Sequence, residues 1–114
     1  MPTTLFDSHC HFDFEVFNSE RLDIWQACHA QGLKQLLIPG VEPKQWLISA
    51  NIASQYDGIY TAAGLHPWWV SRAGLPEQDE WARVLSSPKC LAVGECGLDA
   101  TIEAPLHYLS LIHI

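Results

Sequence analysis

His9 and His11 stand two residues apart in Asp7-Ser8-His9-Cys10-His11. In an extended segment, side chains at that spacing project to the same side, so two imidazoles can chelate one ion. A third chemical group, Glu95, lies in Ala92-Val93-Gly94-Glu95-Cys96-Gly97-Leu98-Asp99, directly after an apolar run and between glycines. Glycines there let a backbone approach a ligand closely. Two histidines and a carboxylate match the ligand set of hydrolytic zinc or manganese sites that activate water. The ordinary alternatives are packed or solvated histidines and a solvated carboxylate or helix cap. Asp7 and Asp13 are nearby acceptors for the ring N–H that a metal-ligand imidazole directs away from its ion.

Gly64-Leu65-His66-Pro67-Trp68-Trp69 adds a histidine beside a rigid proline and two indoles. On one reading His66 caps a turn and the tryptophans fill the core. On the other, His66 donates to a substrate phosphate or to metal-held water, and Trp68 or Trp69 stacks on a base or sugar. His29 falls inside an expected helix, and His107 and His113 lie in a tail without motif, so all three are read as structural or incidental.

These groups need elements to position them. Residues 4–7 form a short apolar run, and Leu22, Trp25 and Cys28 recur at helical spacing in 21–31, with Asn18 or Ser19 as N-cap and Gly32 as the stop. Residues 35–38 read as a second strand, broken by Pro39-Gly40; Pro43 opens a helix whose Trp46, Leu47, Ala50 and Ala53 share one face until Asp57-Gly58. Residues 59–63 and 90–94 are further strands, separated by a helix over 76–85 with an acidic first turn. Continuous apolar strands alternating with amphipathic helices predict a parallel sheet covered on both faces. A doubly wound sheet fits the length, but Ser8-His9-Cys10-His11, not a glycine-rich phosphate loop, follows the first strand. The other architecture is about half of a (β/α)8 barrel, which needs about 250 residues. In either fold, His9, His11, His66, Glu95 and Asp99 follow strand ends and gather at one face.

The chain has 114 residues, 48% of them hydrophobic and 17% charged, which fits one compact domain and excludes a disordered tail. Its apolar runs are far short of the roughly 20 residues that span a bilayer, and the N-terminus lacks signal-peptide order, so a soluble, cytoplasmic protein is expected, with no membrane partner. Four cysteines without a C-x-x-C pair predict buried, reduced thiols. Six Lys and Arg against thirteen Asp and Glu give a net charge of −7, whereas nucleic-acid binders usually present a basic footprint. Bound divalent cations would invert that charge locally.

Three ordered motifs now carry a resemblance: Leu5-Phe6-Asp7-Ser8-His9-Cys10-His11-Phe12-Asp13, Gly64-Leu65-His66-Pro67 and Val93-Gly94-Glu95-Cys96-Gly97-Leu98-Asp99. Together they resemble the TatD family of metal-dependent hydrolases over residues 4 to about 100. The resemblance implies an α/β fold, the N-terminal half of a (β/α)8 barrel, over a single partial domain 1–114 with residues 108–114 unaligned. It implies divalent metal ions, two in number and zinc, magnesium or manganese, with His9, His11 and Glu95 as ligands and His66 near substrate phosphate. It also implies phosphodiester hydrolysis on DNA by metal-activated water, with no obligate protein partner indicated. The family's further ligand histidines and catalytic aspartate fall after this chain's last residue, so the 114 residues alone are expected to be inactive. Two alternatives remain: hydrolysis of a small amide, ester or phosphate, or a noncatalytic partner-binding role.

Overall fold

The computed structural model describes residues 3–70 and 74–101. Its frame is one sheet of four strands, β1 (Leu5–Asp7), β2 (Leu33–Ile38), β3 (Ile59–Ala63) and β4 (Cys90–Val93), hydrogen-bonded in the order β1-β2-β3-β4. All three pairings are parallel, with Asp7 opposite Leu36, Ile38 opposite Thr61 and Ala63 opposite Val93. Helices α1 (Arg21–Ala30), α2 (Pro43–Gln55) and α3 (Gln78–Leu85) fill the crossovers. Strand order therefore follows chain order without reversal among the described residues. That is the progression of a barrel, whereas a doubly wound sheet reverses at its switch point.

Alternation along β2 divides the layers. Leu36 and Ile38 are buried and join Phe12, Trp25, Ile52, Ala53 and Ile59 in a core between helices and sheet. Pro43 begins α2, where a missing N–H costs nothing. Gly32 and Gly58 end the helical segments with positive φ of 109° and 84°, and a Cβ on either would strike a backbone oxygen.

Several expectations need correcting. Neither Asn18 nor Ser19 is the N-cap of α1; Glu20 holds that position without a side-chain bond, and Asn18 Oδ1 accepts from Arg21 instead. Leu22 is exposed, and the buried face of α2 runs through Gln45, Trp46, Ser49, Ile52 and Ala53, leaving Leu47 73% exposed. Strand β2 starts two residues earlier than its apolar run, because Leu33 pairs with Leu5 on β1 and the register then skips Lys34 before Gln35 meets Phe6. The sheet is not covered throughout: Leu5 and Phe6 on β1 and Leu91 and Val93 on β4 are exposed, so both edge strands are open among the described residues. Cys10, Cys28 and Cys90 are half-buried and Cys96 exposed, all as free thiols. The expected tail over 108–114, with His107 and His113, lies outside the described residues.

Candidate metal centre

Parallel strands deliver their following loops to one end of the sheet. After β1, Asp7 Oδ1 accepts from the His9 backbone N–H at 3.0 Å, a local turn that lifts the histidines off the strand end. The Cys10 N–H then donates to Leu37 O on β2 at 3.1 Å. Arg21, at the start of α1, closes the loop from behind: Nε donates to Phe12 O at 3.0 Å and an Nη to Phe14 O at 3.0 Å. The His11 ring stacks on Phe14 with centroids 4.9 Å apart.

Glu95 arrives from the opposite edge of the sheet. Gly40, after β2, donates its N–H to Gly94 O at 2.8 Å and accepts from Glu95 N at 2.5 Å, while the Gly94 N–H donates to Ala63 O at 2.9 Å. The loops after β2 and β4 thus meet directly over the end of β3. This crossing has room only because two residues lack side chains. A Cβ on Gly40 would lie 2.5 Å from Ala62 O, and one on Gly64 would lie 2.3 Å from the Gly94 carbonyl carbon. The glycines flanking Glu95 have the opposite character: a Cβ on Gly94 or Gly97 meets nothing within 4 Å. Close backbone approach therefore belongs to Gly40 and Gly64, a role the motif pattern did not reveal.

The result is that His9 Nε2 stands 3.8 Å from Glu95 Oε1, and His11 Nε2 stands 3.3 Å from Glu95 Oε2. One ligand atom from each of the three residues lies within 4.8 Å of the others. The donor set fits a small divalent cation. Ligand bonds of about 2.1 Å place tetrahedral neighbours about 3.4 Å apart, the scale of the two histidine–carboxylate separations. Each imidazole presents Nε2, and each carboxylate oxygen faces a different histidine.

The surroundings of the histidines depart from expectation. Neither Asp7 nor Asp13 accepts a ring N–H: Asp7 takes a backbone N–H, and Asp13 Oδ2 takes Gln45 Nε2 at 3.2 Å. The buried atoms His11 Nδ1 and Asp13 Oδ1 have no hydrogen-bond partner among the described residues. Gln45, itself buried, accepts from Val41 N at 2.9 Å and donates to Pro39 O at 3.0 Å, so one amide joins α2, the loop after β2 and the histidine loop. Neither Arg21 nor Gln45 was marked by the motifs. Burial, then the charges of Asp7, Asp13 and Cys28, pushes the Cys10 thiol above its ordinary range and keeps it protonated at neutral pH.

His66 takes the first of its two expected roles. It caps the short 3-10 turn Pro67–Trp69, with Nδ1 accepting from the Trp68 N–H at 3.1 Å. It also lines, with Trp68, Glu95, Leu98 and Asp99, an open cleft of about 290 Å³. The tryptophans do not fill the core: Trp68 is 60% exposed and Trp69 half-buried. Trp68 Nε1 donates to Asp99 Oδ2 at 2.8 Å, and Asp99 Oδ1 accepts from the backbone N–H and hydroxyl of Thr101. The Thr101 bonds, followed by the Trp68 bond, hold the Asp99 carboxyl below its usual range.

A family model described as TatD related DNase matches residues 6–108. The chain belongs to the TatD-related DNase family. It is 30% identical over 101 residues to an uncharacterized metal-dependent hydrolase, YjjV, of Escherichia coli K12, covering 87% of this chain and 39% of that protein. A second relative, the 3'-5' ssDNA/RNA exonuclease TatD of E. coli K12, is 27% identical over 83% of this chain and 36% of its own. The chain thus spans less than two-fifths of the length of these curated relatives. The crystal structure of YjjV, a TatD homolog from E. coli K12, matches with a TM-score of 0.83 at 29% identity, over 99% of this chain and 45% of that one. The TatD-family fold of this chain is therefore the N-terminal half of a (β/α)8 barrel, with its four strands in barrel order.

Proposed function

We propose that the whole protein is a divalent-metal-dependent hydrolase that cleaves phosphodiester bonds of DNA, with His9, His11 and Glu95 as metal ligands and His66 as a substrate-phosphate contact. The observation that carries this reading is the convergence of three ligand atoms, from loops at opposite sheet edges, within 4.8 Å. A relative named as a ssDNA/RNA exonuclease supports the substrate class. When bound, a divalent ion polarises a phosphoryl oxygen and activates water. His9 and His11 hold their Nε2 atoms toward Glu95, whose two oxygens orient toward separate rings. His66 Nδ1 is occupied as an acceptor from Trp68, so the neutral ring carries its proton on Nε2, the atom left to donate to a phosphate oxygen.

The described residues supply one three-donor group, and a second ion belongs to the proposal through the family resemblance. Cations at this face also reconcile a charge of −7 with a polyanionic substrate. A cytoplasmic location is part of the same proposal, supported by four free cysteines. No described helix is long and apolar enough to cross a membrane.

The test is cleavage of end-labelled single-stranded DNA by the whole protein with Mg2+ or Mn2+, beside a small phosphoester. Cation-dependent release of nucleotides, lost in His9→Ala and Glu95→Gln, is expected. Turnover of the phosphoester alone would replace the nuclease reading with a small-molecule hydrolase, and cleavage indifferent to both substitutions would overturn the site assignment.

A further inference from the structure

Trp68 is a large apolar ring that the fold leaves in solvent while fixing it in place. Its side chain stands beside the Glu95 cleft and is 60% exposed, so burial does not explain it. Four contacts hold it nonetheless. The indole N–H is bound to Asp99, and Thr101 anchors that carboxylate in turn. The His66 ring meets the indole edge-on at 5.2 Å, and Trp69 lies nearly parallel to it, 19° apart with centroids at 6.3 Å. The backbone N–H of Trp68 is bound to His66 Nδ1. An aromatic face that is both preorganised and open loses little conformational entropy when a flat partner settles on it.

The cleft sets what the partner is. His66, Trp68 and Glu95 line one space of about 290 Å³, which places a flat aromatic surface, an imidazole donor and the carboxylate of the three-donor group side by side. A nucleotide has those complementary parts: a planar base, a phosphate and a scissile ester. Asp99, bonded to the indole N–H, sets a carboxylate beside the ring, which suits an uncharged base over the indole better than a second phosphate.

We propose that Trp68 is a base-stacking platform for single-stranded nucleic acid, seating the base of the nucleotide whose phosphate meets His66, with Asp99 as the positioning residue that fixes the indole. This rests on the nuclease reading above and adds a specificity-determining residue to it. Stacking on one indole tolerates every base, because each has a π-face, so it selects base-bearing strands without selecting sequence.

The test compares two fluorescein-labelled strands with hydrolysis-resistant phosphorothioate backbones, an oligothymidylate and an abasic deoxyribose oligomer of equal length, by anisotropy in the presence of Mg2+. The wild-type protein is expected to prefer the base-bearing strand by about five- to a hundred-fold, the range that replacement of stacking aromatics by alanine produces. Trp68→Ala should remove that preference without changing abasic binding, Trp68→Phe should restore part of it, and circular dichroism should show all three folded alike. A base preference that survives Trp68→Ala overturns the platform and leaves the nuclease reading standing. A loss of abasic binding in Trp68→Ala would assign the indole to the sugar and also overturn it. Failure of the wild-type protein to bind either strand overturns both readings together.

Discussion

His11 Nε2 and Glu95 Oε2 stand 3.3 Å apart although their loops leave β1 and β4, the two outer strands of a four-stranded sheet. Flat sheets space neighbouring strands about 4.8 Å apart, which would hold the first and fourth about 14 Å from each other. The loops after the strands must therefore fold inward across the sheet end. The backbone bonds between Gly40 and residues 94 and 95 are where that happens.

Gly64→Ala should consequently damage the site without touching a ligand. Its Cβ would lie 2.3 Å from the Gly94 carbonyl carbon and 2.4 Å from Glu95 O, all backbone atoms that cannot rotate away. A destabilisation of about 1–3 kcal/mol is expected from overpacking, with weaker metal binding because Glu95 shifts. Gly97→Ala, with nothing within 4 Å, should be near neutral in thermal denaturation and in metal titration.

Gln45→Leu tests the network behind the histidines. It keeps most of the volume but removes the only bond among the described residues to the Asp13 carboxylate and leaves Val41 N and Pro39 O without their partner. The expected loss is about 1–3 kcal/mol in urea denaturation, the cost of stranding buried polar groups. Unchanged stability would mean that this network holds nothing in place.

Acid should release Trp68 from Asp99. The Asp99 carboxyl is held below its ordinary value of 3.8 in the folded chain, so its contribution is complete above that value and lost as pH falls through the lower, folded one. Tryptophan fluorescence of the wild type should change in that acid range, and the difference from Asp99→Asn isolates this step from other carboxylates. Superimposable titrations of the two proteins would contradict the assignment.

The elements were legible where one signal acted alone. Continuous apolar runs located β3 and β4, and Pro43 marked the first turn of α2. Leu47 and Leu22 misled because hydrophobicity at helical spacing does not say which of several faces the sheet takes; α2 buries Gln45 and Ser49 instead, whose polar atoms find backbone partners. At the site, the two-residue spacing of His9 and His11 and the position of Glu95 after a strand were enough to select the three residues that meet. Gly40, Gln45 and Arg21 escaped notice because their roles depend on what lies across the fold from them. A glycine needed for close approach and a buried amide carry no local pattern that separates them from ordinary loop and helix residues.

Zinc titration by calorimetry of the wild-type protein and Glu95→Gln reports whether His9, His11 and Glu95 form one cation site. Saturable binding at this site is expected in the wild type, weakened by more than about tenfold when the charged ligand is replaced by an amide. Equal affinity and stoichiometry in the two proteins would contradict it.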